Sequence, residues 1–541
     1  MPISPGSTAP ARQFGYRRHA DQDRSGRAPA RHPVVVVGAG PVGLTLAIDL
    51  AQRGQPVVIL DDADRIGDGS RAICFSKRSL EVWDRLGVAE RMVEKGVVWQ
   101  VGKVFLGPDL VYGFDLAPDG GHKMPAFINL QQYYAEAFLC DRVAELPAID
   151  LRWRNKAVGL ETHNDHVVLT IETPDGPYRL AADYLVACDG ARSSLRGLVG
   201  ADFAGEVFED RFLIADVKMT AAFPTERWFW FDPPFHAGQS ALLHRQPDDV
   251  WRIDLQLGPD ADVRLERAPE RVRPRIARML GHGDFEFEWI SVYTFQCRRM
   301  QRFLHGRVIF AGDSAHQVSP FGARGANSGL EDAENLAWKL DMVLRGAAPD
   351  LLETYDVERG HAADDNILHS TRSTDFIAPR SPYERRLRNA VLNLAREAPF
   401  AQRMVNAGRL STPTAYASPL STEDADGWAA GPAPGMAMWD APLEDGHGGA
   451  RFLSDAFIAA GRGFALLDMA EAAPIALPPE VARIAIGPQA PWRDTVGLVA
   501  QRYDLAAGGA YLLRPDGYVA ARFRRPTAAA VRAAAQRAGL Q

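Results

Sequence analysis

The chain has 541 residues, 46% of them apolar and 24% charged. These proportions describe a globular protein with a large core and exclude a mainly disordered, collagenous or membrane-embedded chain. The formal net charge of −7 gives no global pull toward nucleic acid or an anionic membrane.

Residues 1–31 are rich in Ala, Pro, Gly, Ser and Arg, with six arginines against two aspartates. They are expected to be a disordered tail. Residues 33–48 are uncharged and follow several arginines, so they imitate a secretory signal. They also contain Gly-Ala-Gly-Pro-Val-Gly and precede a second strand pattern, which assigns them to a fold core. Arg17-Arg18 is followed by no apolar run, so no export signal is expected.

Order is expected from Val34. Residues 34–37 read as a strand buried on both faces. A glycine-rich turn follows, then Leu44, Leu46, Ala47, Leu50 and Ala51 at helical spacing, with Gly54 as the stop. Residues 57–60 are the next buried strand, ending at Asp61. This β-α-β unit opens a doubly wound sheet. Further strands are expected at 167–172 and 184–187. Residues 206–299 alternate as strands, for example 228–231, 241–244 and 251–256, whose aromatic content suggests a sheet covering a pocket. Residues 308–311 form another short strand. It runs through a glycine-rich turn into a long helix with Leu330, Ala333, Leu336, Ala337, Leu340, Val343 and Leu344 on one face. Residues 376–435 read as a helical linker. A small α/β unit follows, in which strands at 511–513 and 518–523 flank the turn Arg514-Pro515-Asp516-Gly517.

Gly38-Ala39-Gly40-Pro41-Val42-Gly43 is a GxGxxG turn between strand and helix. Gly38 permits the bend, Gly40 lets the backbone approach a pyrophosphate, and Gly43 lets helix and strand pack closely. The helix N-terminus offers free N–H groups and a positive dipole end to phosphates. Asp61 lies eighteen residues beyond Gly43 and can accept ribose hydroxyls. The turn alone does not say which dinucleotide binds. Gly312-Asp313-Ser314-Ala315-His316 and the loop from Pro320 to Asn327 add a second carboxylate after a strand and a second helix start. Together they suggest a cofactor extended across the sheet and held at both ends.

Taken in order, the GxGxxG with its acid, Asp189-Gly190-Ala191-Arg192-Ser193, and Gly312-Asp313 with the 320–327 loop resemble the class A flavoprotein monooxygenases. That group includes para-hydroxybenzoate hydroxylase and phenol hydroxylase. The chain most resembles the 3-(3-hydroxyphenyl)propionate hydroxylase type, from Gln131-Gln132 through Phe231-Asp232-Pro233-Pro234-Phe235 to Arg514-Pro515-Asp516-Gly517.

The resemblance implies an α/β fold. A Rossmann-like FAD-binding domain spans 32–375 and is interleaved with a β-sheet substrate domain at about 101–130 and 206–299, as in para-hydroxybenzoate hydroxylase. A thioredoxin-like domain at 436–541 would follow, with no cysteine for thiol–disulfide chemistry. FAD is the implied cofactor. Gly38, Gly40 and Gly43 would face its pyrophosphate and Asp61 its adenosine ribose. Arg71, in Ser70-Arg71-Ala72, and Gln132 would lie against it, although Gln131 leaves the register open. Gly312 and Asp313 would hold the ribitol or pyrophosphate. The backbone at Gly325, Ala326 and Asn327 would face the flavin N1–O2 edge. Asp189 and Arg192 would serve FAD or nicotinamide phosphates, unless Asp189 simply caps a turn. Trp228-Phe229-Trp230 resembles the W-x-W of flavin halogenases, but the isoleucine-proline that completes it is absent; these tryptophans are read as sheet and pocket residues.

By the same resemblance, NADH or NADPH would reduce FAD transiently and O2 would add to give a C4a-hydroperoxide that hydroxylates a small phenolic aromatic substrate. His236, His244 and Arg245, in the expected substrate sheet, are the candidates for a base or a carboxylate partner, and Pro320 would lie on the substrate side of the flavin. A polyketide-tailoring hydroxylase or epoxidase, or a non-enzymatic flavoprotein, could use the same scaffold. No metal site is expected, because no HExxH or Cys/His ligand spacing occurs. Cys74, Cys140, Cys188 and Cys297 include no CxxC pair and read as reduced thiols. The expected enzyme is cytoplasmic, without nucleic-acid or membrane partners, and could be a homodimer.

Overall fold

The computed structural model describes residues 12–24, 26–67, 71–258, 260–405, 410–424, 427–469, 475–505 and 509–540. Its first sheet runs Leu304–His305, Val308–Phe310, Tyr178–Ala187, Ala30–Val37, Val57–Asp61, Ile149–Trp153. Ala30–Val37 pairs in parallel with Val57–Asp61 on one side and with Tyr178–Ala187 on the other. The chain therefore reverses direction across the sheet at this strand, and a ligand crevice is expected beyond its C-terminal end. The strand's valines are almost fully buried, as expected where helices cover both faces.

The expected disordered tail does not hold for the described residues before 32, and residues 1–11 lie outside them. Phe14 stacks on Trp153 with ring centroids 4.4 Å apart. Gln13 bridges to Arg65, and the first strand already begins at Ala30. The arginines that suggested a solvated tail have carboxylate partners on the body of the protein. Arg31 pairs with Asp165 and Asp183, and Arg12 with Asp141. Composition alone cannot see those partners.

The second sheet runs His316–Gln317, Glu286–Met300, Phe203–Lys218, Val250–Leu257, Ser240–Arg245, Arg227–Phe231, Val101–Leu106, Asp109–Asp115. Strand alternation gives it two unlike faces. On one, Phe229, Phe231, Leu242, Phe212 and Phe295 pack with Phe321 of the 320–327 loop. On the other, Leu243, Trp251 and Ile253 pack beneath the helix Pro269–Leu280. Trp228 and Trp230 belong to this second face, beside Phe105. They build the sheet but turn away from the side that meets the glycine-rich loops. A small sheet of Cys74–Ser76, Phe127–Asn129 and Val97–Trp99 lies between the two large ones.

Residues 376–435 do more than connect. After the helix Pro382–Leu394, the chain returns so that the Ser411 amide donates to Gly322 O at 2.8 Å and Leu410 O accepts from Arg324 at 3.2 Å. Both contacts brace the loop before the long helix Gly325–Leu344. The C-terminal unit has a seven-stranded sheet in the order Ala450–Phe452, Pro442–Asp445, Trp492–Arg493, Val481–Ile486, Phe464–Met469, Ala510–Leu513, Val519–Phe523. Its turn residue Arg514 is fully buried and bonds Glu358 of the helix Glu353–Ile377. Among the described residues no helix is long and apolar enough to cross a membrane.

Candidate functional site

The site is built where the first sheet's crevice meets the aromatic face of the second. Gly38 has φ +111°, and a Cβ there would lie 2.3 Å from Cys188 O. At Gly43 a Cβ would lie 2.0 Å from Gly38 O. Only glycine closes this turn. Gly40 differs: a Cβ would meet nothing within 4 Å, so its backbone borders open space. Gly40 is also the N-cap of the helix Pro41–Gln52 and provides no side-chain cap. The helix's leading amides thus remain available to an anion. Asp61 accepts from Ala39 N–H at 2.6 Å and Ala63 N–H at 2.9 Å. Burial raises its pKa, and these two amides oppose the rise.

The second helix start has the same character. Arg324 is the N-cap of Gly325–Leu344 and makes no side-chain cap. Ser328 is the first amide to donate inward, to Arg324 O at 2.8 Å, so the amides of Gly325, Ala326 and Asn327 precede any intrahelical acceptor. Ala323, just before, has φ +53°, and Ala323 N–H donates to Pro320 O at 3.0 Å. Pro320 is exposed on that loop. The Asn327 side chain points elsewhere: it accepts from Ser76 N–H at 2.9 Å and Ser79 Oγ–H at 2.6 Å, and donates to Cys74 O at 3.0 Å. It ties the helix start to the small sheet.

Gly312, at φ +67°, donates its amide to Asp332 at 2.8 Å. Val42 fits between Gly312 and Gly329, where a Cβ would stand 3.0 and 2.7 Å from Val42 Cγ2. This joins both glycine-rich turns in one unit. The next residue, Asp313, is solvent-accessible although protein surrounds it. Burial raises its pKa, and His316 and Arg71 pull it down. Arg71 is thereby brought to the same crevice; Ser70 lies outside the described residues. Gln132 accepts from Ala72 N–H at 3.1 Å and donates to Glu136 at 2.8 Å, while Glu136 also accepts from Gly67 N–H at 2.6 Å. Gln131 instead reaches Pro247 O in the second sheet. The two glutamines thus serve different walls.

Asp189 accepts from Leu195 N–H at 3.2 Å beside the short helix Ser194–Leu198, whose N-cap is Ser193. Arg192 is exposed in the same loop. His316 bonds Asp332 at 2.7 Å within the core.

On the second sheet, His244 faces the crevice and Arg245 does not. His244 Nδ1 lies 3.9 Å from Cys74 Sγ, whereas Arg245 turns toward Trp251 and Asp249 on the outer side. Burial, then Arg227 and Arg252, pushes the His244 pKa well below its ordinary value, so the ring stays neutral. His236 ties its short turn to the strand Val250–Leu257 by bonding Gln256 O at 2.6 Å, and packs near the helix Pro269–Leu280. His236 and Arg245 therefore do not join His244 in one site. Around His244 the register assembles Arg227, Arg252 and Asp254, with Cys74 and Asn129 opposite. Residue-by-residue reading missed this group because only strand pairing reveals which alternate positions look inward. Among the described residues no three metal-ligating side chains cluster.

The open backbone at Gly40, the uncapped helix starts and the accessible Asp313 fit a dinucleotide laid across the sheet. The FAD binding domain family matches residues 31–370. The chain belongs to that family, and its fold and relatives are those of the flavin-dependent monooxygenases. A relative from Streptomyces rimosus, 12-dehydrotetracycline 5-monooxygenase/anhydrotetracycline 6-monooxygenase, is 32% identical over 510 residues, covering 90% of this chain and 95% of that protein. The 3-(3-hydroxy-phenyl)propionate/3-hydroxycinnamic acid hydroxylase of Escherichia coli is 30% identical over 365 residues, 66% of this chain and 64% of that one. The solved structure of the flavin-dependent monooxygenase PieE, in complex with FAD and substrate, matches with TM-score 0.78 at 24% identity, over 94% of this chain and 98% of that one. That likeness speaks for the fold. The chain is an enzyme, with FAD as its cofactor.

Proposed function

We propose that the protein is an NAD(P)H-consuming, FAD-dependent hydroxylase of a phenolic aromatic substrate. The observation that carries this reading is the helix Gly325–Leu344, whose uncapped N-terminus stands against a crevice walled by the aromatic and polar face of the second sheet. In this reading the Gly38–Gly43 turn and the helix Pro41–Gln52 hold the pyrophosphate, and Asp61 lies toward the adenosine ribose. Asp313, Arg71 and Gln132 hold the central portion. Backbone amides of Gly325, Ala326 and Asn327 stabilise negative charge on the reduced flavin. FAD, once reduced by NADH or NADPH, supplies the activation of O2. The chain's own residues exclude water and present the ring, with Phe229, Leu242 and Phe321 as apolar wall and Pro320 on the substrate side of the loop.

A second reading, a fused-ring polyketide phenol, is favoured by one observation. The match to the tetracycline monooxygenase covers 90% of this chain and so reaches into the C-terminal unit, whereas the match to the phenylpropionate hydroxylase covers 66% of it. That unit's parallel pair Phe464–Met469 and Val481–Ile486, followed by the hairpin of Ala510–Leu513 and Val519–Phe523, supports a thioredoxin-like fold. Without cysteine it has no thiol–disulfide chemistry, which leaves a structural or dimer-contact role. The proposal includes a cytoplasmic setting and a homodimer, which light scattering would test.

The deciding experiment follows NADH and NADPH oxidation by the holoenzyme with single-ring and fused-ring phenols, and weighs the products. Oxidation stimulated by a phenol, with a product heavier by one oxygen atom, establishes the hydroxylase and chooses between the two substrate classes. Bound FAD without stimulation by any phenol rejects both.

A further inference from the structure

We infer that Asp254 is the catalytic base that takes the proton of the substrate's hydroxyl. The inference rests on the phenol-hydroxylase reading above and adds the residue that it lacks. Asp254 lies on the strand Val250–Leu257, opposite Leu242 in the register, so it shares the inner face with His244, Arg252 and Gln256. Its side chain is partly accessible within the crevice, yet its Oδ1 atom is buried and meets no hydrogen-bond donor among the described residues. An acceptor left in that condition carries an uncompensated desolvation cost, which a substrate donor can recover.

Groups from every neighbouring element face it. Arg252 on its own strand gives Nε and Nη2 to Asp216 of Phe203–Lys218, both at 2.8 Å, and is thereby occupied. Arg227 of Arg227–Phe231, His244 of Ser240–Arg245 and Cys74 of the small sheet complete the ring, with Tyr293 of Glu286–Met300 beyond Arg252. Cys74 also connects the ring to the helix start, because its carbonyl accepts from Asn327. Asp254 thus lies near Cys74, whose backbone is bonded to the helix start. Burial pushes its pKa up to about 7; Arg252 opposes this, Asp216 adds to it, and Arg227 again opposes it. A base poised there is suited to neutral pH, while His244, held far below, is not.

The step is a proton transfer. The phenol O–H bond breaks toward Asp254 Oδ1, and its electron pair stays on the phenolate oxygen, beside the Arg227 guanidinium. The electron-rich ring then meets the oxygen donor, and Asp254 returns its proton to solvent after turnover.

The test compares the wild-type, Asp254→Asn and Asp254→Glu holoenzymes on two substrates. One is an ordinary phenol, un-ionised at neutral pH. The other is a nitrophenol, already largely ionised in solution and needing no base. Asp254→Asn should lose about 100-fold or more in kcat/KM on the phenol but less than about tenfold on the nitrophenol. It should also lose the acid limb of the pH–rate profile, which Asp254→Glu should retain. Flavin absorption changes on adding phenol without NADH report FAD retention and binding separately from turnover. Equal losses on both substrates, or an acid limb that survives in Asp254→Asn, overturn the assignment. A wild-type enzyme that no phenol stimulates refutes the phenol reading itself, and this one with it, before any variant is compared.

Discussion

Glu358 and Asp254 are both carboxylates enclosed by protein, both near arginines, and the molecule treats them in opposite ways. Glu358 joins the C-terminal unit to the FAD-binding body. It accepts from Arg514 at 3.0 Å, Lys339 at 2.7 Å and Asn335 at 2.7 Å. Asp516, from the same turn as Arg514, accepts from Trp338 at 3.0 Å, and its carbonyl accepts from Arg78 at 2.6 Å. Burial would raise the Glu358 pKa, but Arg514 and Lys339 outweigh it and hold the group well below the usual carboxylate range. Asp254 stands among Arg252, Arg227 and Asp216 with one oxygen unbonded, and its pKa moves up. Burial is common to the two; completed hydrogen bonding separates them. A satisfied network holds units together, and an incomplete one is poised for a ligand.

The largest effect should come from breaking the satisfied side. Arg514→Ala leaves Asp516 without its guanidinium and Glu358 with Lys339 as its remaining cationic partner. Removing one partner of a buried pair costs ~3–5 kcal/mol, read as a lower denaturant midpoint for the full chain. A loss below about 1 kcal/mol, the range of exposed pairs, would mean that the junction is no latch, and the contrast with Asp254 would collapse.

Asn327 stands where the two regions meet. Its helix carries Lys339 and Trp338 further along, and its own side chain holds Cys74 and Ser76 at the crevice. Asn327→Ala leaves the buried Ser76 amide and the Cys74 carbonyl without this partner, each an expense of about 1–3 kcal/mol. Since those contacts fix the helix start, FAD should bind about tenfold more weakly, equivalent to ~1.4 kcal/mol. Fluorescence titration of the apoprotein with FAD measures it. Unchanged affinity would show that the helix start is held by the loop contacts of Ser411 and Leu410 instead.

Local chemistry made part of this architecture readable. The Gly38–Gly43 turn, the two helix starts and the strand of residues 57–60 follow from glycine placement and apolar runs that need no distant partner. The substrate face did not follow. Residues 251–256 read as a strand, but whether Asp254 or Ile253 looks inward depends on pairing Leu242 with Asp254, and no local pattern specifies that register. The sequence makes His236 a candidate because it falls in the expected substrate sheet, although its short turn directs it toward the outer helix Pro269–Leu280. The tail misled through composition, because its arginines find acids more than a hundred residues away, as Arg12 finds Asp141. Gly329 offered an overlooked signal: glycine inside a helix is unfavourable by about 1 kcal/mol relative to alanine, which asks for a packing reason. Val42 is that reason.

The smallest effect is the most direct test of the contrast. In the folded protein Asp254 holds its proton up to about pH 7, whereas in the unfolded chain an aspartate loses it near pH 3.9. Between those values the folded state binds the extra proton. Wild-type stability attributable to this group therefore falls as pH rises through the window and levels off above it. Asp254→Asn has no proton to lose, so its stability relative to wild type should climb across the same window, ending about 1 kcal/mol ahead once access of solvent to the carboxyl is allowed for. Glu358 gives the reverse sign. Its depressed pKa contributes stability above the unfolded value near pH 4.3, which is lost as pH falls through the folded one. Denaturant midpoints for wild type, Asp254→Asn and Glu358→Gln across pH 2 to 8 separate the two slopes. A flat difference for Asp254→Asn would mean that its free oxygen finds a partner in solution, leaving no unsatisfied carboxyl for the substrate to meet.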